Sequence, residues 1–108
     1  MNFPGHLMQS SRLMHTDKNR LVFKIGSPAV AVFHVQEGEV HLVRHAPDGA
    51  TVIIHRAGAG DFFAEASLIS RRYHCDALSV RPSACLRLPA DALRRTLQQD
   101  PALPRRPR

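Results

Sequence analysis

The sequence predicts a mainly β domain of the antiparallel sandwich or jelly-roll class. Three observations predict it. Short runs rich in β-branched and aromatic residues, at 21–23, 29–35, 40–44, 51–56, 77–80 and 84–88, are separated by turn residues at short intervals. Several runs alternate, as in Val30 and Val32 against Ala31 and Phe33, or Val40 and Leu42 against His41 and Val43, which gives a core face and a less buried one. After Leu88 the period changes from that of a strand to that of a helix.

In chain order, residues 1–11 show no period and are broken early by Pro4 and Gly5, which suits a loose arm or a short docking helix. The domain itself is expected over residues 12–103. Asp48-Gly49 between two strand-like runs signals a hairpin. Residues 60–77 interrupt the series and do not read as a strand; within them residues 64–70 are expected to hold one short helical segment. Pro89-Ala90-Asp91 then opens a second helix at 90–99, with Ala90, Leu93 and Leu97 on one face and Arg94, Arg95, Gln98 and Gln99 outside it. Asp100-Pro101 closes it, because the residue before proline is pushed out of the helical region. Residues 104–108 form a basic tail.

The 108 residues suffice for one domain with its own core, and 44% hydrophobic with 22% charged residues is an ordinary globular balance. Two cysteines, Cys75 and Cys85, do not make a disulfide framework, so a reducing interior is the default. No apolar run approaches the ~20 residues of a membrane span, and the N-terminus lacks the basic-then-apolar order of a signal peptide. The expected location is the cytoplasm, with no membrane partner. The net charge of +6 is concentrated late, since residues 87–108 hold six arginines against Asp91 and Asp100. Such a tail can meet nucleic acid or another acidic surface. A solvated chain end is the commoner outcome, and no groove-reading helix accompanies it, so no specific DNA binding by this chain alone is expected.

The interrupting stretch carries the chemistry. Gly60 permits a tight turn, Phe62 and Phe63 supply an apolar anchor, and a short helix start offers backbone N–H groups to an anion. Glu65, the acidic group of that first turn, can accept hydrogen bonds from a sugar hydroxyl; equally, the helix macrodipole alone favours a carboxylate there. The segment resembles the phosphate-binding cassette of the cyclic-nucleotide-binding domain in the cyclic-AMP receptor protein (Crp/Fnr) family of bacterial transcriptional regulators. That cassette runs Phe-x-Gly-Glu, then Leu, then Arg-Ser/Thr-Ala. Phe62-Phe63-Ala64-Glu65, Leu68 and Ala77 match the frame, and Gly26, Gly38, Gly49 and Gly60 match upstream.

The resemblance covers about residues 12–103. It implies an eight-stranded antiparallel double-stranded β-helix (jelly roll) with short flanking α-helices, and a pocket formed by Phe63, Ala64, Glu65, Ala66, Ser67, Arg71, Arg72, Cys75, Asp76 and Ala77. It implies a ligand rather than a cofactor, namely a cyclic nucleotide or another small effector; a homodimer is left open. In the family a dimerisation helix and a DNA-reading motif would follow, and residues up to 108 show neither.

Three positions depart from the cassette. Ala64 stands for the glycine that lets backbone approach phosphate, and Cys75 and Asp76 stand for the arginine and the hydroxyl residue that hold the cyclic phosphate. An arginine there would act through a charge-assisted, often bidentate bond. A carboxylate beside the vacated position turns the local charge repulsive, by about 1 kcal/mol at ~4 Å in water and about 4 at an intermediate dielectric. Weak or absent cyclic-AMP binding is expected, unless Arg71 or Arg72 turns inward to replace the lost cation.

Other chemistries carry less. Seven histidines invite a metal, yet His41 and His45 lie ~13 Å apart along a strand and adjacent His74 and Cys75 would point to opposite faces. Cys75 near His74, Arg71 and Arg72 admits a reactive thiolate, which Asp76 opposes; a small apolar cysteine in a sheet is the plainer account. No nucleophile, base and orienting group converge, so an enzyme is not expected. Two readings stand: an effector-sensing module with a degenerate cassette, or a non-binding remnant of the same fold that works through protein contacts.

Overall fold

The computed structural model describes residues 10–99. Most of the expected N-terminal arm, and the basic tail at 104–108, lie outside the described residues. Eight strands follow in order: β1 (Arg12–Thr16), β2 (Arg20–Phe23), β3 (Ala31–Glu37), β4 (Glu39–His45), β5 (Thr51–Gly58), β6 (Phe62–Phe63), β7 (Asp76–Ser79) and β8 (Ser83–Pro89). A 3₁₀ turn at Glu65–Leu68 sits between β6 and β7, and the helix α1 (Ala90–Gln99) closes the described chain. The strands form two antiparallel four-stranded sheets, ordered β1-β8-β3-β6 and β2-β7-β4-β5. Consecutive strands repeatedly change sheet, which is the expected roll. Six of the strands follow the runs seen in the sequence, with shifted ends. The other two, β1 and β6, are additions: β1 is an edge strand with Leu13 left in solvent, and β6 is two residues long and falls inside the stretch that does not read as a strand.

The core lies between the sheets. Phe23 stacks on Tyr73 with ring centroids 3.7 Å apart, and Phe33 stacks on Phe63 at 5.0 Å. Val35, Val40, Ala57, Ala77 and Cys85 fill the space around these rings. The inward set on β3 is Ala31, Phe33 and Val35, as alternation predicts. Its outward Val32 is also buried, because Leu93 of α1 covers it. The less buried face of β3 is thus buried as well where α1 lies, while Val30, just before the strand, remains half exposed.

The α1 helix starts where Pro89 ends β8, with Ala90 N–H donating to the Val30 carbonyl at 2.8 Å. Its buried face is Ala90, Leu93 and Thr96, with Leu97 partly covered. Thr96 spends its hydroxyl on the Ala92 carbonyl, which lets a polar side chain lie against the sheet. Arg94 ties the helix to the 3₁₀ turn: Nε donates to Leu68 O at 2.9 Å, an Nη donates to Ser67 O at 3.1 Å, and the guanidinium also pairs with Asp91.

The turn between β3 and β4 is the tightest in the roll. Gly38 has φ of 96°, and a methyl group built there would lie 2.2 Å from Ser83 Oγ and 2.6 Å from Pro82 O. The Ser83 hydroxyl cannot simply swing away, because it accepts from Glu39 N–H at 3.0 Å and donates to the Arg81 carbonyl at 2.8 Å. Gly38→Ala therefore combines a left-handed backbone with a clash against main chain, and should cost about 2–4 kcal/mol. Urea unfolding will show this as a lower midpoint at unchanged slope.

Candidate ligand-binding site

The site is built around the segment that interrupts the strands. After β6 the chain turns through Ala64 at φ 67° and ψ 26°, a left-handed conformation that a non-glycine residue adopts at some cost. The 3₁₀ turn that follows is closed by Ser67 N–H donating to the Ala64 carbonyl at 3.0 Å. Glu65 and Ala66 precede that first bond, so the turn itself does not use their N–H groups. Buried Ser67 pins the turn in place, its hydroxyl lying 2.6 Å from Ala64 O and 2.9 Å from Ala31 O of β3. The backbone thus keeps the shape a glycine would prefer while the sequence supplies alanine. Ala64→Gly should raise stability by about 0.5–1 kcal/mol, as relief of the left-handed strain exceeds the added chain entropy; a thermal midpoint a few degrees higher is the measurement.

A cavity of about 550 Å³ opens against this turn. One wall is the second sheet, with Leu42 and Arg44 from β4 and Ile54 and His55 from β5. The facing wall is Phe62, Ala64, Glu65, Ala66 and Ser67, and residues 72–75 close the side. The volume lies in the range of small-molecule sites. Its charged lining is two guanidiniums, Arg44 and Arg72, against one carboxylate, Glu65, with His55 and His74 nearby. Each arginine is held by a backbone carbonyl: Arg44 Nε donates to His74 O and Arg72 Nη1 to Gly26 O, both at 2.8 Å. A guanidinium has five N–H donors, so one such bond leaves capacity for an anion.

Of the residues the sequence proposed, Ala64, Glu65, Ala66, Ser67, Arg72 and Cys75 come together around this cavity. Four do not. Phe63 is fully buried between the sheets, and Ala77 is fully buried on β7. Arg71 lines a different cleft, with Val30, Ile69 and Arg94. Asp76 points away from the cavity: its carboxylate accepts from Ile25 N–H at 2.7 Å and lies 3.4 Å from His45 Nε2. That carboxylate latches the end of β2 rather than facing a ligand, which removes most of the repulsion expected from the sequence.

The Cys75 thiol is pushed above its ordinary pKa by burial, with Arg44 opposing the rise and Asp76 adding to it. It is a neutral thiol at neutral pH, and a thiolate-based redox sensor loses its basis. Cys85, buried between β1 and β3, is raised by burial in the same way. His74 lines the cavity beside Cys75 rather than facing away from it, since the regular strand begins only at Asp76. Among the described residues no three His, Cys, Asp or Glu side chains are grouped to hold a metal ion.

Sequence reasoning missed Arg44 and His55. The signal for Arg44 was present: it follows Val40 and Leu42 at spacing two, so an unbroken strand puts all three on one face. His55 was hidden by an irregularity of β5, where Leu42 pairs with His55 and Val43 with Ile53, leaving Ile54 extra.

Two antiparallel sheets thus form a roll with a lined cavity beside a short turn. The profile of the cyclic nucleotide-binding domain matches residues 13–100, and the chain belongs to that family. The sensor domain of the transcriptional regulator DNR from Pseudomonas aeruginosa is 33% identical, with a TM-score of 0.82 over 87% of this chain and 64% of that one. The c-di-GMP responsive global regulator CLP of Xanthomonas campestris is 18% identical, with a TM-score of 0.78 over 88% of this chain and 47% of that one, which shows the shared fold. A protein of Rhodopseudomonas palustris, provisionally named a potassium channel protein, is 28% identical over 94% of this chain and 24% of its own length. The chain thus spans about a quarter of that curated relative and just under two thirds of the DNR sensor structure. No helix among the described residues is long and apolar enough to cross a membrane.

Proposed function

We propose that this roll is an effector-sensing module of the kind found in bacterial transcriptional regulators, with a cassette altered so that cyclic AMP is held less tightly than by the family's arginine. The observation that supports it most is the cavity at the cassette turn. It retains Glu65 for a sugar hydroxyl and two guanidiniums for an anion, while the arginine position carries the neutral thiol of Cys75. Replacing a charge-assisted bond by a thiol removes roughly 1.5–3 kcal/mol, or about one to two decades of affinity.

The alternative, a roll that acts only through protein contacts, draws on β5. This edge strand leaves Val52, Ile53 and Ile54 half exposed in succession. Calorimetric titration with cyclic AMP, cyclic GMP, 5′-AMP and cyclic di-GMP separates the two. Saturable binding of any of them at millimolar concentration or below supports the effector reading, and silence across the set favours the contact reading. Specific operator binding is not part of the proposal, because α1 commits Ala90, Leu93 and Thr96 to the body of the roll.

A further inference from the structure

We propose that Arg44, which reaches the cavity from β4, supplies the cation that the cassette has lost at Cys75, and that it holds the phosphate group of the effector. This rests on the effector-sensing reading above and names the residue and the ligand chemistry that would carry it.

The argument is one of register. In the antiparallel ladder between β4 and β7, Leu42 lies opposite Ala77 and Val43 opposite Asp76. β7 begins at Asp76, and that register continued one step past its last pair would set Arg44 against Cys75. Directly opposed residues of such a ladder project to the same face, with Cβ atoms about 4.5–5.5 Å apart. Both side chains do line the same cavity. The charge has therefore moved across the strand pair, from the position of Cys75 to its neighbour, without leaving the site.

Two further observations agree. The Arg44 guanidinium opposes the rise that burial imposes on the Cys75 thiol, as a cation sharing its cavity would. Arg44 is also positioned, since its Nε donates to His74 O across the closing segment. That bond leaves the four Nη hydrogens for a ligand, in the paired geometry that suits phosphate oxygens. Arg72 also lines the cavity and is tied to Gly26 O. A guanidinium arriving from β4 approaches the phosphate along a different line than one arriving from residue 75. The ligand preference is thereby shifted among phosphate-bearing nucleotides rather than abolished.

The test is titration of the full chain and its variants with the same four nucleotides, together with adenosine as the uncharged comparison. The unmodified chain should bind at least one phosphate-bearing probe, and Arg44→Gln should weaken that binding tenfold or more at an unchanged unfolding midpoint. Arg71→Gln, in the separate cleft with Val30 and Ile69, should change it less than threefold. The decisive variant is Arg44→Gln combined with Cys75→Arg, which returns the cation to the other strand and should recover at least half of the lost decade. A purely structural role for Arg44 would not be rescued in this way. Equal affinity of Arg44→Gln and the unmodified chain would overturn the assignment and leave the effector reading standing. Failure of every probe to bind the unmodified chain would overturn both.

Discussion

Truncation of Phe63 to alanine is expected to remove about 3–5 kcal/mol of stability, a large share of what a domain of this size possesses. The ring is fully buried, stacks on Phe33 at 5.0 Å and meets Phe23 at 6.3 Å, so its removal leaves a void at the junction of both sheets. The consequence extends to the site. β6 is only two residues long and pairs through Phe63 opposite Phe33 and Phe62 opposite His34. So short a ladder is held by the ring more than by its hydrogen bonds, and the turn from Ala64 onward hangs from it. Denaturant unfolding should show a much lower midpoint for Phe63→Ala. Glu65→Gln, at an exposed position, should leave the midpoint within about 0.5 kcal/mol. If the two variants lost equal stability, Phe63 would not be the core anchor described here.

The contrast between those two residues bears on what a sequence can reveal. The alternation of β3 and β4 is written in side-chain chemistry, because period two separates core from surface when a sheet has a buried face. The helix is equally legible, since Pro89 and Asp100-Pro101 bracket a clean apolar stripe. The edge strand β1 is not, because an edge can mix Leu13 in solvent with a half-buried Met14 and still pair with β8. Nor is β6, whose pairing partner lies some thirty residues earlier and leaves no local pattern.

The site was partly legible for a related reason. The residues of the turn, 64–67, are contiguous and could be read together as a cassette. The cavity's opposite wall comes from β4 and β5, where Leu42, Arg44, Ile54 and His55 are distant in sequence. Asp76 shows the complementary error: beside Cys75 in the chain, it faces the other way in the sheet, toward Ile25. Neighbours in sequence were given a shared environment that the pleat denies them. For the same reason Arg44, distant in sequence, lines the cavity with Cys75, whereas Arg71 lines another cleft.

Restoring arginine at position 75 is expected to raise cyclic-AMP affinity about tenfold. A new charge-assisted bond to the phosphate contributes roughly 1.5–3 kcal/mol. Against it stands repulsion from Arg44, which lines the same cavity, about 1 kcal/mol at ~4 Å in water. The difference is on the order of 1.4 kcal/mol, which is one decade. Asp76 has little part in the balance, because its carboxylate is engaged by Ile25 N–H and His45 on the far face. Adding Asp76→Ser should therefore bring no further affinity and should cost about 1–3 kcal/mol of stability, as the Ile25 N–H loses its acceptor. From the sequence alone the opposite ranking follows, with the double change the tighter binder, so the pair of variants decides between the two accounts. In the unliganded protein Cys75→Arg should lower the thermal midpoint, since two guanidiniums face each other with no anion between them. Bound cyclic AMP should recover that loss by mass action, giving a ligand-dependent rise in midpoint larger than that of the unmodified chain. An unchanged affinity in Cys75→Arg, with the fold intact, would mean that the phosphate does not sit beside residue 75 at all.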